Sequence, residues 1–269
     1  MINVLAAAAL AAATPSMPAP APAISPPSEP AMFVVHDADT TIYLFGTFHA
    51  LDGDPRWLES GIRSAFEQSD ELVLETLLPE GPNAAQEIRQ AVKAPSVTPS
   101  ASFLTTTRMA ISAGRSEGMQ VNNCADMVLR HIAEAEGKPV EGLETLQLQM
   151  NMFNHLHGAE LVPASAKAGQ PVAAQSMQAL TQAMTEMQSA WKRGDQSVFV
   201  RMLSDLDASS PDTYRMMFTE RNARWADWIA ARLQTPGTVF VAVGAGHLAG
   251  KDSVLVRLAQ KGISSQRVY

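Results

Sequence analysis

Two short stretches near opposite ends of the chain share one form, Gly46-Thr47-Phe48-His49 and Gly244-Ala245-Gly246-His247. Each follows an apolar run of strand type, Ile42-Tyr43-Leu44-Phe45 and Val239-Phe240-Val241-Ala242-Val243. A glycine just past a strand permits a sharp turn because it tolerates positive φ. The imidazole three residues on is then delivered to the loop at the strand's carboxyl end, the edge where ligands and catalytic groups collect in open α/β sheets. A third run, Glu71-Leu72-Val73-Leu74-Glu75, brings a carboxylate to the same edge. Two imidazoles and a carboxylate leave open positions on Zn²⁺, Mn²⁺, Co²⁺ or Fe²⁺. A metal held in this way acidifies its water and polarises a carbonyl, the core of hydrolytic chemistry. His49 and His247 are the expected ligands, with Glu75 as third ligand or general base, two roles that sequence alone leaves open. It equally leaves open a pair of loop histidines that cap strand ends by hydrogen bonds. The spacing is not the His-Glu-x-x-His of helical zinc peptidases, so no local motif decides between them.

Other polar groups carry weaker signals. Glu144, after Gly142-Leu143, reads as a carboxylate at the start of a Gln-rich helix, stabilised by the helix dipole. Arg221, followed by Asn222, lies inside a predicted helix and reads either as a surface salt bridge or as an arginine orienting a carboxylate or substrate oxygen. His155 and His157 point about 200° apart on a helix and cannot share a site. His36 and His131 have no partner visible in the sequence. Met177, Met184 and Met187 read most simply as core filler on one helix face, with peptide or lipid contact as the lesser alternative. Cys124 is the only cysteine, which excludes an intramolecular disulfide, and it reads as a small buried hydrophobe. Gly-x-Ser-x-Gly, P-loop and dinucleotide fingerprints are missing, which counts strongly against those enzyme classes.

The elements that must position these groups follow from periodicity. Met32–Val35 and Thr41–Phe45 flank a polar turn and predict a hairpin. A helix over 55–69 and a strand over 71–75 come next, and Gly81-Pro82-Asn83 breaks the chain. Helical spacing then predicts helices near 83–93, 100–119, 123–136, 145–158, 171–192, 195–206 and 212–234, with a brief strand over Pro139–Glu141. The end returns to a strand at 238–243, a loop at Gly244–Gly250, a helix at 251–261 and a last strand at Ser264–Val268. The expected fold is mixed α/β (α+β): a small mixed sheet built from both chain ends, with a large helical insertion at about 83–235.

Residues 1–23 read as a secretory signal peptide, with a short apolar stretch at Asn3–Ala13 and Ala-x-Ala spacings after it. Residues 24–30 read as a Pro-rich linker and 31–269 as the folded domain. A periplasmic or secreted protein is expected, with no stable membrane anchor once the signal is removed. The net charge of −7 and the lack of a basic run exclude the electrostatic footprint of nucleic-acid binding.

The chain resembles the TraB/PrgY/GumN family, which is related to the Tiki proteins. The resemblance rests on Tyr43-Leu44-Phe45-Gly46-Thr47-Phe48-His49, Asp70-Glu71-Leu72-Val73-Leu74-Glu75, and Gly137-Lys138-Pro139-Val140 with Gly142-Leu143-Glu144-Thr145. Glu220-Arg221-Asn222 with Trp225, Val243-Gly244-Ala245-Gly246-His247-Leu248-Ala249-Gly250 and Lys261-Gly262-Ile263 complete it. These blocks occur in family order over roughly 32–269. The resemblance implies a metal-dependent, metalloprotease-like hydrolase in which His49, His247 and Glu75 hold a divalent metal, Mn²⁺ or Co²⁺ ahead of Zn²⁺. It also carries over Glu75, Glu144 and Arg221 as catalytic or site-supporting positions. The expected partner is a peptide or small-molecule substrate. Two alternatives stay beside peptide hydrolysis: a non-catalytic protein that sequesters a peptide or small ligand, and an ester or lactone hydrolase.

Overall fold

The computed structural model describes residues 29–49, 51–59, 61–84, 86, 88, 114–115, 118–119, 124–155 and 172–269. The expected signal peptide, most of the linker, most of the expected helices 83–93 and 100–119, and His157 lie outside the described residues.

The sequence's apolar runs form one six-stranded sheet. Its strands are β1 (Met32–His36), β2 (Thr40–Thr47), β3 (Glu71–Thr76), β4 (Val140–Glu144), β5 (Gly237–Gly244) and β6 (Gln266–Arg267), in spatial order β4-β3-β5-β2-β1-β6. The four strands β4, β3, β5 and β2 run parallel, while β1 pairs antiparallel with β2 and with β6. Parallel strands need both faces covered, which is why β5 reads as an unbroken apolar run. Two cores result. Phe45, Leu72, Leu74, Phe240 and Ala242 pack on one face with Trp57, Phe66 and Trp191. Ile42, Leu44, Val73, Val239, Val241 and Val243 pack on the other with Trp225, Ile229, Leu248 and Leu258. The period-2 alternation of β2, Ile42 and Leu44 one way and Phe45 the other, divides the cores.

The helices are α1 (Gly61–Glu67), α2 (Ala125–Glu136), α3 (Leu146–His155), α4 (Val172–Lys192), α5 (Ser197–Ser209), α6 (Pro211–Tyr214), α7 (Glu220–Arg232) and α8 (Val254–Gln260). Among the described residues no helix is long and apolar enough to cross a membrane. The mixed α/β fold with sheet strands from both chain ends is thus present. Three local expectations are corrected. The helix expected over 212–234 is interrupted by a π-helical turn at Arg215–Thr219. The strand expected over Pro139–Glu141 runs on to Glu144, because Gly142 and Glu144 keep parallel register with Leu74 and Thr76. The single helix expected over 55–69 is a 3₁₀ turn, Pro55–Leu58, followed by α1.

β5 enters the sheet between β2 and β3, so residues two hundred positions apart in sequence become neighbours; Thr47 pairs directly with Gly244. The loop after β2 is braced from beneath. The Trp191 indole N–H, on α4, donates to the Gly46 carbonyl at 2.6 Å, and its ring packs against Phe45, Phe48 and Trp57.

Candidate active site at the carboxyl edge of the sheet

Every one of the four parallel strands delivers a polar residue to the same edge. His49 lies two residues past β2, Glu75 is the penultimate residue of β3, and Glu144 is the last of β4. His247 sits in a 3₁₀ turn, Ala245–Leu248, directly after β5. Glu144 is therefore a buried strand-end carboxylate and not the helix-start group expected from its Gln-rich surroundings. Arg221, in the first turn of α7, is buried at 3 % exposure and is not a surface salt bridge.

Arg221 ties the centre together. Its Nη2–H donates to Glu75 Oε2 at 2.7 Å, and its Nε–H reaches both Glu144 oxygens at 3.1 and 2.9 Å. Its Nη1–H donates to His247 Nε2 at 3.2 Å, with the Met217 carbonyl a longer acceptor at 3.4 Å. The guanidinium also lies over the Trp225 ring, 4.6 Å from its centroid. A π turn often marks a functional position in a helix, and here it ends two residues before Arg221 and contains Met217.

Each histidine is oriented through its Nδ1. His247 Nδ1–H donates to Asn222 Oδ1 at 2.6 Å, and the Asn222 amide donates in turn to the Asp252 carbonyl. The ring is held between Phe218 and Trp225, with centroids at 4.9 and 4.4 Å. This fixes Nε2 as the nitrogen with the lone pair. His49 Nδ1 pairs with Asp126 Oδ2 at 3.0 Å, and Thr47 donates its hydroxyl to the other Asp126 oxygen. His49 is 65 % exposed and His247 only 7 %, so the site opens to solvent on the His49 side.

The charges follow from these contacts. Burial would raise the Glu75 pKa, but the His247, Arg221 and His49 side chains and the Gly244 N–H together bring it down to about 2. Burial dominates His247 and, against the attraction of Glu75, lowers it to about 3. His247 is therefore neutral near pH 7, and Arg221 is the fixed cation that acts on Glu75 there. His49 loses something to desolvation, yet the Asp126 carboxylate outweighs it and raises the pKa well above the ordinary value. Burial likewise opposes the charge on Arg221, and Glu75 with Glu144 overcomes it.

A pH dependence of stability follows. The folded pKa values of His247 and Glu75 lie below their ordinary 6.5 and 4.5, so the unfolded chain binds more protons as the pH falls. Both contributions are complete above pH 6.5. They are lost in acid, His247's between 6.5 and about 3 and Glu75's between 4.5 and about 2. His49, whose folded pKa is raised, works the other way and loses its contribution as the pH rises above 6.5, so the urea midpoint is expected to fall between pH 6.5 and pH 4, and His247→Gln should flatten the part between 6.5 and 4.5. A flat midpoint over that range in the native protein would remove this account.

The glycines of the two motifs work through space, not through positive φ. Neither Gly46 nor Gly244 is among the positive-φ glycines, and Gly244 has φ −52°. A Cβ on Gly46 would come within 3.2 Å of the Ala245 Cα, so the two motif loops cross there at backbone contact. A Cβ on Gly244 would lie 3.2 Å from Glu75 Oε1, 3.4 Å from His49 Nε2 and 3.7 Å from His247 Cδ2. The side chains of Glu75, His49 and His247 therefore surround a space that glycine keeps open.

By residue type this donor set is one a divalent cation accepts: two imidazoles with their second nitrogens tied to other side chains, as metal-bound histidines usually are, and one ionised carboxylate. Among the described residues no three His, Cys, Asp or Glu side chains stand as a formed ligand shell. The His247 Nε2 lone pair is engaged by Arg221.

Sequence reasoning missed Asp126 and gave Asn222 no role of its own. Asp126 is an ordinary first-turn acid of α2 in sequence terms, 77 residues from His49. The signal for Arg221 was available: it stands four residues before Trp225, which places it on the buried face of a helix. His131, without a partner in sequence, meets Glu80 at 2.9 Å on the surface.

A family model described as the TraB/PrgY/gumN family matches residues 31–110 and 95–267. No curated protein and no solved structure matches the chain.

Proposed function

The chain belongs to the TraB/PrgY/gumN family, and from that premise we propose that it is a metal-dependent hydrolase, acting on peptides outside the cytoplasm. The observation that carries the reading is the convergence of His49 Nε2, Glu75 Oε1 and the His247 ring over Gly244. His49, His247 and Glu75 would hold the ion, with Mn²⁺ or Co²⁺ ahead of Zn²⁺. Such an ion, when bound, supplies an acidified water and a polarised carbonyl.

The chain's own residues supply the rest. Glu75, held near a pKa of 2, is a poor proton acceptor at neutral pH and a good hard ligand, so the ligand role is assigned to it. Asp126 and Asn222 hold the two Nδ1 atoms, which leaves each Nε2 directed to the site. Glu144 keeps Arg221 charged and aimed, and Arg221 offers N–H donors to a developing oxyanion or a substrate carboxylate. The exposed His49 side admits a substrate from solvent, while Phe218 and Trp225 close the His247 side.

Elemental analysis of untagged protein after titration with Mn²⁺, Co²⁺ and Zn²⁺ tests the reading. Near-stoichiometric metal is expected in the native chain and strong loss in His49→Ala and in His247→Ala. Full retention in both variants, or no specific uptake under any condition, would sink it and bring the sequestering protein forward. Product analysis on peptides and on simple esters then separates peptidase from esterase action.

A further inference from the structure

Arg221 and a metal ion compete for the same atom. Ligation through His247 requires the Nε2 lone pair, because Nδ1 is committed to Asn222 at 2.6 Å, and that lone pair accepts from Arg221 Nη1 at 3.2 Å. The other donors are not blocked. Glu75 meets Arg221 through Oε2 and turns Oε1 toward the space over Gly244, where it accepts from the Gly244 N–H at 2.6 Å. His49 Nε2 faces the same space.

Resting on the metal-site reading above, we infer that Arg221 is a displaceable internal cation, a latch that occupies His247 until a divalent ion enters and then releases that one contact alone. The guanidinium is built for such a partial release. Its Nε and Nη2 are anchored on Glu144 and Glu75, both buried, so the side chain stays in place when Nη1 lets go. The freed Nη1–H has a ready acceptor in the Met217 carbonyl, already 3.4 Å away on the π turn. A regular helix hands its carbonyls to its own backbone, whereas a π turn alters that pairing beside Arg221. The latch therefore gives His247 a partner in either state, and a buried imidazole lone pair is never left bare.

Isothermal titration with Mn²⁺ of native protein and Arg221→Lys tests this. One ammonium cannot span Glu144, Glu75 and His247 as the guanidinium does, so Lys keeps a buried cation and frees Nε2. Arg221→Lys is expected to bind Mn²⁺ about ten- to a hundredfold tighter, the equivalent of one charge-assisted hydrogen bond. Equal or weaker binding in a folded Arg221→Lys would overturn the latch. The native chain provides a second readout that does not depend on the variant folding. With ¹⁵N-arginine label, stoichiometric Zn²⁺ should shift the Arg221 Nη resonances and leave Nε–H, anchored on Glu144, in place. Unmoved Nη resonances at full loading would also overturn it. If the native protein takes up no metal, the metal-site reading fails and the latch with it. If the native protein binds through His49 and His247 while Arg221→Lys gains nothing, the latch alone fails.

Discussion

Glu144→Ala is expected to lower stability by about 3–5 kcal/mol, the usual cost of removing one partner of a buried ion pair. The side chain is 1 % exposed and accepts from both Nε and Nη2 of Arg221, which is itself 3 % exposed. Without it the guanidinium keeps Glu75 and His247 but loses the carboxylate that fixes its plane. Two controls isolate that cause. Arg224→Ala removes a half-exposed partner of the same carboxylate, 46 % exposed and 3.2 Å from Glu144 Oε1, and should cost about 0–1 kcal/mol. Glu144→Gln preserves volume and one acceptor and should fall between the two. Urea unfolding at pH 7 decides: a Glu144→Ala loss within about 1 kcal/mol of zero would mean that the buried charge is held by Glu75 alone. The same variant should lose turnover, because an Arg221 no longer aimed cannot offer its donors at a fixed place.

The sheet and most of its edge were legible in the sequence for a simple reason. Strands buried on both faces must be continuously apolar, so β2, β3 and β5 announce themselves, and a polar residue at the end of such a run has few places to go. His49, Glu75 and His247 were found that way. Their supporting residues come from helices, where first-turn acids and mid-helix arginines are common and only tertiary packing distinguishes one from another. Asp126 looks like a dipole-stabilised acid until the fold lays α2 beside the β2 loop. Glu144 was masked by Gly142, which weakens a strand signal because it offers no side chain to pack. The π turn at Arg215–Thr219 has no residue signature at all, since one extra residue in a turn leaves the apolar pattern on either side intact. The motif glycines were placed correctly but for the wrong cause, conformational freedom in place of room.

That difference of cause separates two substitutions. If Gly244 were needed for its backbone, Gly244→Ala would destabilise the fold; at φ −52° and ψ 136° alanine is comfortable, and reduced freedom of the unfolded chain offsets a tight contact. Stability is therefore expected to stay within about 1 kcal/mol of the native protein. The methyl group, however, lands where Glu75 Oε1, His49 Nε2 and the His247 ring converge, at 3.2, 3.4 and 3.7 Å. Metal affinity and turnover should each fall about a hundredfold or more, the scale set by displacing reacting groups by about 1 Å. Gly46→Ala should do the reverse in kind. Its methyl meets the Ala245 backbone at 3.2 Å, so the loops must part and stability must fall whether or not anything is bound. Thermal unfolding of the two variants beside Mn²⁺ titration separates the causes. A Gly244→Ala protein that binds and turns over within twofold of the native chain would show that the space above Gly244 is not where the chemistry takes place. Loss of function with an unchanged melting temperature would place it there, because nothing in the backbone distinguishes alanine from glycine at this position except the volume it fills.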